Sequence, residues 1–91
     1  MILTDLKIRQ EIKKLEGWLY LNGRLQKTYK FLDFTRAVLF LNKIVNPIEE
    51  QQSYPKIEIA YNQILVSLFN NMAGGITERE MAMAQEFDKL C

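Results

Sequence analysis

Ninety-one residues, 48% hydrophobic and 25% charged, suffice for a single domain over residues 1–91 with a modest core, one that buries about 60–65% of the surface its unfolded chain exposes. Twelve basic and eleven acidic side chains leave a net charge of +1, without the basic surplus that phosphate contacts demand, so no nucleic-acid partner is expected. No apolar run reaches the roughly 18 residues of a membrane span, the N-terminus lacks the pattern of a secretory signal, and the one cysteine, Cys91, cannot form an internal disulfide, so a cytoplasmic location with no membrane contact is the expectation.

Thr4 is placed to cap a helix from Asp5 to Leu15, with Asp5 at its electropositive end. Leu6, Ile8, Ile12 and Leu15 approximate one apolar face, and Lys7, Arg9, Lys13 and Lys14 read as its solvated side. Gly17 should end this helix. Trp18 to Leu21 then reads as a strand, and Asn22-Gly23 as a type I′ turn, which needs positive φ at both central residues. A second strand is expected from Arg24 to Phe31.

Asp33 caps the next helix, in which Phe34, Ala37, Val38, Leu41, Ile44 and Val45 recur at helical spacing. Leu39 and Phe40 widen the apolar arc, and a helix apolar on more than one side is either deeply buried or used in association. A homo-oligomer joined through helices, a sheet edge or both is therefore expected. Pro47 should stop or kink the helix. Asn46-Pro47-Ile48-Glu49 also has the form of a fresh helix start, with Glu49 as its capping carboxylate, so a kink or restarted turn is predicted.

Helix should be lost before Pro55. Lys56 to Tyr61 alternates as a half-buried strand, Asn62 and Gln63 mark a turn, and Ile64 to Phe69 reads as a further strand. After the Gly74-Gly75 loop, Thr77-Glu78-Arg79-Glu80 is a capping box opening a helix to about Leu90, with Met81, Ala84, Phe87 and Leu90 on its apolar side. The order α-β-β-α-β-β-α predicts an α+β fold: a four-stranded antiparallel sheet with three helices on one face.

The chain contains no histidine. Histidine is the side chain whose ordinary pKa lies near neutrality. Zinc sites without it need several cysteines, and Ser–His or Cys–His nucleophilic pairs are excluded. No metal and no cofactor are expected.

Leu15-Glu16-Gly17-Trp18, Tyr29-Lys30-Phe31 with Asp33-Phe34, Tyr61-Asn62, and Gly75-Ile76-Thr77-Glu78-Arg79-Glu80 follow one another in an order and spacing that resemble the pterin-4a-carbinolamine dehydratase (4a-hydroxytetrahydrobiopterin dehydratase) family from Leu15 to Leu90. The family signature, E-x-x-x-H-H-P-x-W, is degenerate here. Glu49 and Pro55 match it, Ser53 and Tyr54 replace its two histidines, Ile57 replaces its tryptophan, and Asn71 stands where a later histidine is expected.

The resemblance implies a pterin dehydratase-like fold, oligomers that are dimers or tetramers, and a reaction that expels hydroxide from carbon 4a of a hydroxylated tetrahydropterin. That reaction needs a proton donor and a proton acceptor with pKa values near the operating pH. Ser53 and Asn71 do not titrate usefully, and a phenol such as Tyr54 ordinarily ionises at about 10. Glu49 is the remaining titratable group of the motif, if burial raised its pKa. Competing structural roles are helix capping for Glu49, packing for Tyr54, backbone pairing for Asn70 and Asn71, and a solvated first-turn position for Arg79. The resemblance implies a pseudoenzyme acting by protein binding, since divergent members without the histidines serve as Rubisco assembly factors or chaperones. The alternatives are a weak dehydratase using Glu49 and Tyr54, and a protein that holds a pterin without turning it over.

Overall fold

In a computed structural model describing residues 1–91, Thr4 opens α1 (Asp5–Ile12) by accepting the Lys7 N–H at 3.1 Å. The helix ends at Lys13, short of Leu15: the Leu15 N–H reaches the Ile12 carbonyl at 3.0 Å in a tightened turn. Gly17, at φ 82°, then redirects the chain. Trp18 lies outside the strand in which it was expected and is only 4% exposed, because its ring packs into the core.

The hairpin of β1 (Leu19–Leu21) and β2 (Arg24–Lys30) turns at Asn22-Gly23, with φ 52° and 75°. Next come α2 (Phe34–Gln51), β3 (Lys56–Ala60), β4 (Gln63–Leu68) and α3 (Glu78–Leu90). Phe31 and Phe69 fall just beyond the strands predicted to hold them, and Tyr61 takes a turn conformation at φ 48°. The four strands are antiparallel in the order β1-β2-β4-β3.

Register decides which side of the sheet is dry. Leu25 faces Leu68, Lys27 faces Val66 and Tyr29 faces Ile64, so these residues share one face. Leu25, Tyr29, Ile64, Val66 and Leu68 are buried there under Ile8 of α1, Ala37, Phe40, Ile44 and Ile48 of α2, and Met81, Ala84 and Phe87 of α3. The opposite face carries Arg24, Gln26 and Ser67, with Arg24 Nε donating to Ser67 Oγ at 2.6 Å.

The restart at Pro47 does not occur: α2 continues through it to Gln51, with Asn46 and Glu49 inside the helix. A proline inside a helix costs about 3 kcal/mol. Ile44 and Ile48 flank it at 0% and 8% exposure, and burying an isoleucine contributes about 1.5–3 kcal/mol. Two such anchors outweigh one missing backbone bond. The helix is lost before Pro55 as expected, at Gln52, whose left-handed backbone (φ 50°) closes the last turn. No helix is long and apolar enough to cross a membrane.

One carboxylate gathers the sheet and α3. Asp88 accepts the Trp18 indole N–H at 3.1 Å, the Lys27 ammonium at 2.9 Å and the Tyr29 hydroxyl at 2.6 Å. Burial first, and the Asp88 hydrogen bond next, push the Tyr29 phenol far above its ordinary value, so it remains a donor. The Lys27 ammonium also donates to the Glu16 carbonyl at 2.6 Å and lies 4.8 Å from the Tyr29 ring centroid. Asp88→Ala should leave three donors without their acceptor and lower stability by about 2–4 kcal/mol. Urea unfolding checks this, and Asp88→Asn, which keeps one acceptor oxygen, should lose less.

Candidate functional site

The left-handed cap at Gln52 turns the chain out of α2, so that Ser53 and Tyr54 run along the rim of the molecule before Pro55 leads into β3. Across from them the chain leaving β4 folds back on itself. Asn70 N–H donates to the Gly75 carbonyl at 3.0 Å, Gly74 N–H to the Asn70 carbonyl at 2.7 Å, and Ala73 N–H to Asn70 Oδ1 at 3.0 Å. Gly74 sits at φ 79°, a conformation that glycine adopts without strain. This closed loop holds Asn71 and Met72 outward, with Met72 99% exposed.

Between the two segments is a cleft of about 210 Å³ lined by Ser53, Tyr54, Asn71 and Arg79 among others. The three positions where the family signature would carry histidine therefore come together, although Asn71 is 17 residues or more from the others in sequence. Pro55 and Ile57 do not line the cleft, and Ile57 packs against the core from β3. Glu49 is exposed and also lies outside the lining.

Two expectations about these residues need correction. Glu49 caps nothing at Asn46, because the helix never restarts there. Tyr54 is not an anchor of the core, being 62% exposed. The Glu49 carboxylate instead sits beside the Tyr54 hydroxyl and, through a hydrogen bond and its charge, holds the phenol above its ordinary value. Tyr54 is therefore a neutral donor at physiological pH, and an even poorer proton carrier than a free phenol.

Glu80 was legible only as part of a capping box. The box forms: Glu80 Oε1 accepts from the Thr77 N–H at 2.7 Å and from Thr77 Oγ1 at 2.6 Å. No local signal marks Glu80 as a residue that would be 0% exposed, or its Oε2 as the acceptor of the Ser53 hydroxyl at 3.3 Å. Ser53 is thus oriented by a carboxylate that solvent does not reach. Arg79, in the same helical turn, is exposed and forms no ion pair.

The lining offers amides, hydroxyls, apolar side chains and one guanidinium, with no group that titrates near neutrality. No three side chains among histidine, cysteine, aspartate and glutamate come close enough to hold a metal ion. Chemically, this cleft can hydrogen-bond, stack and attract an anion.

A family model described as "Pterin 4 alpha carbinolamine dehydratase" matches residues 1–90. A protein of Nostoc sp. is 38% identical over 89 residues, spanning 98% of this chain and 96% of its own length. One from Sulfurisphaera tokodaii is 38% identical over 88 residues, spanning 97% and 95%. Both carry the name "Putative pterin-4-alpha-carbinolamine dehydratase". Among solved structures, a transcriptional coactivator/pterin dehydratase from Brucella melitensis superposes with a TM-score of 0.94 at 25% identity, over 99% of this chain and 98% of that one. A pterin dehydratase-like protein described as a RuBisCO assembly factor in the α-carboxysome superposes with a TM-score of 0.63 at 25% identity, over 74% and 77%.

Glu49→Gln should return Tyr54 toward the ordinary phenol range, since the carboxylate is the first cause of its shift. Following the Tyr54 ring resonances through an alkaline titration checks this, and an unchanged midpoint would mean that the two groups do not interact.

Proposed function

The chain belongs to the pterin-4-alpha-carbinolamine dehydratase family, and we propose that within it this protein is a non-catalytic member that acts by binding another protein. The observation that carries this reading is the cleft itself: Ser53, Tyr54 and Asn71 occupy the signature's histidine positions, and none can exchange a proton usefully near neutral pH. The only carboxylate bonded to Ser53, that of Glu80, is sealed from solvent. The resemblance to a RuBisCO assembly factor supports an assembly role and makes Rubisco a candidate partner. The Brucella melitensis protein is called both a transcriptional coactivator and a pterin dehydratase, a name that joins a role beyond the chemistry to this fold.

A second reading, a weak dehydratase or pterin-binding protein, draws on the names of the relatives and on the Glu49–Tyr54 pair. In it, Tyr54 would donate to the leaving hydroxyl and Glu49 would accept a proton through water. The pairing disfavours this, because Glu49 makes Tyr54 harder to ionise and both groups are solvent-exposed.

Self-association belongs to the same proposal, with residues 1–91 acting as one domain. Phe34, Val38, Leu41 and Val45 form a stripe along α2 beside its buried face, and Phe34 and Val45 remain 52% and 45% exposed. A second copy, or more, would cover this stripe through helix packing. Light scattering at micromolar concentration should give a mass above one chain, and Leu41→Lys should lower it. A wild-type mass of one chain would remove the idea.

Dehydration of the 4a-carbinolamine should be absent, or at least ~10³-fold slower than with a histidine-bearing relative, measured against the uncatalysed blank. The three replacements act at one site, so their costs do not multiply. Restoring Ser53→His, Tyr54→His and Asn71→His together should recover turnover if the cleft still admits a pterin. Wild-type turnover at the rate of a histidine-bearing relative would defeat the non-catalytic reading.

A further inference from the structure

The sheet has one open edge, β3. It pairs with β4 on one side and with no strand on the other, so alternate residues aim their N–H and C=O groups away from β4. The opposite edge, β1, is only three residues long and backs onto α1, where the Tyr20 hydroxyl donates to Asp5 at 2.8 Å and Arg9 lies 5.2 Å from the Tyr20 ring centroid. The dry side of the sheet reaches β3 and stops there uncovered. Ile59 faces Ile64 across the ladder, yet Ile64 is 0% exposed and Ile59 40%. Tyr54 and Tyr61, just beyond the two ends of the strand, are both exposed.

Charge on an edge strand commonly repels a second strand. Here the charges are self-complementary. Lys56 and Glu58 stand on the solvent face, one on each side of Ile57, and their only ion pair is with each other, at 3.5 Å along the strand. Two copies of β3 joined antiparallel about a two-fold axis normal to the sheet keep their faces matched, so the axis falls on a residue. On Glu58, it sets that carboxylate opposite its own copy, which is destabilising. On Ile59, it sets Glu58 opposite the partner's Ala60 and Lys56 opposite the partner's Asn62, beyond the end of the strand. On Ile57, it sets Lys56 opposite the partner's Glu58 twice over, and Ile59 opposite the partner's Pro55 on the dry face. Only this register satisfies both the charges and the apolar edge. It also reaches the cleft, because the same pairing continued sets Tyr54 opposite the partner's Ala60 and Ser53 opposite the partner's Tyr61. Pro55 holds Tyr54 to extended backbone, so the line of β3 runs on to these two cleft residues.

We propose that a second copy of this chain pairs along β3 in the register centred on Ile57 and contributes its Tyr61 to the rim of the cleft at Ser53 and Tyr54. This contact goes beyond the α2 stripe, which lies on another surface, and it joins two four-stranded sheets into one. Within one chain Tyr61 follows the far end of β3 from Ser53 and does not line the cleft. In the pair each cleft gains a third aromatic side chain beside its own Tyr54 and Phe69, so the site is complete only when two copies meet.

The test follows association of the full chain by sedimentation equilibrium, beside Lys56→Glu, Glu58→Lys and the double exchange of both. These positions are exposed, so the variants should keep the wild-type circular dichroism. Each single exchange should weaken pairing about ten-fold, because it sets like charges opposite one another at two symmetric places. The double exchange should restore it, because the same pairs re-form with their signs reversed. In a sample of ¹⁵N,²H-labelled copies mixed with unlabelled ones, the labelled Ser53 and Tyr54 amides should show cross-peaks to the Tyr61 ring of the unlabelled copy, and Tyr61→Ala in that copy should delete them. A double exchange that associates no better than the single ones would overturn the register. Single exchanges that leave association unchanged, or an associated sample without those cross-peaks, would overturn the proposal. Association lost in Leu41→Lys but untouched in Glu58→Lys would assign it to α2 alone, with the same result.

Discussion

Asp88, one turn from the end of the chain, accepts hydrogen bonds from Trp18, Lys27 and Tyr29, which come from the start of the first hairpin and its second strand. These partners are 59 to 70 residues away in sequence. This carboxylate is only partly buried, and three donors converge to hold it in place. Its effect is positional: it pins the C-terminal half of α3 against the sheet, beside the Phe87 that fills the core. Because a helix is rigid along its length, pinning one end also sets where the other end lies.

At that other end lies the candidate site. Thr77 and Glu80 close their reciprocal capping box, and the free oxygen of Glu80 meets Ser53 at the exit of α2. The 70–75 loop, tied by its own backbone bonds, brings Asn71 and Met72 to the opposite rim. The scaffold thus holds the signature positions together with no side chain at the histidine sites that titrates near neutrality. Such rigidity is what a binding surface needs, since pre-ordered side chains lose less entropy on association. The proposed protein-binding role draws on this intact frame with altered side chains.

Much of the fold was readable locally. Asn22-Gly23 dictated a hairpin, Thr4, Asp33 and Thr77 announced three helix starts, and the alternation after Pro55 marked a strand. Each signal lies within about four residues, the reach of a turn or a cap. The site was readable in part, since the degenerate signature named Ser53, Tyr54 and Asn71, which do share a cleft. Glu80 escaped because its second oxygen is aimed by the packing of α3 against the exit of α2, a relation absent from either segment alone. Glu49 was misjudged because its apparent capping role required a helix break at Pro47.

Pro47 shows where the division falls. Its local chemistry argued for a break, and it would break an isolated helix. Burial of Ile44 and Ile48 against the rest of the core overrode that preference, as did the burial of Trp18 over a place in its strand. Composition alone determined that no histidine could carry a proton here, because an absent side chain cannot be supplied by folding. Turns, caps and strand alternation were equally determined by the sequence, since neighbouring residues enforce them. Tertiary structure decided the continuity of α2, the partners of Asp88 and the meeting of Ser53 with Glu80, because burial and long-range hydrogen bonds outweigh local propensity wherever distant segments share one core.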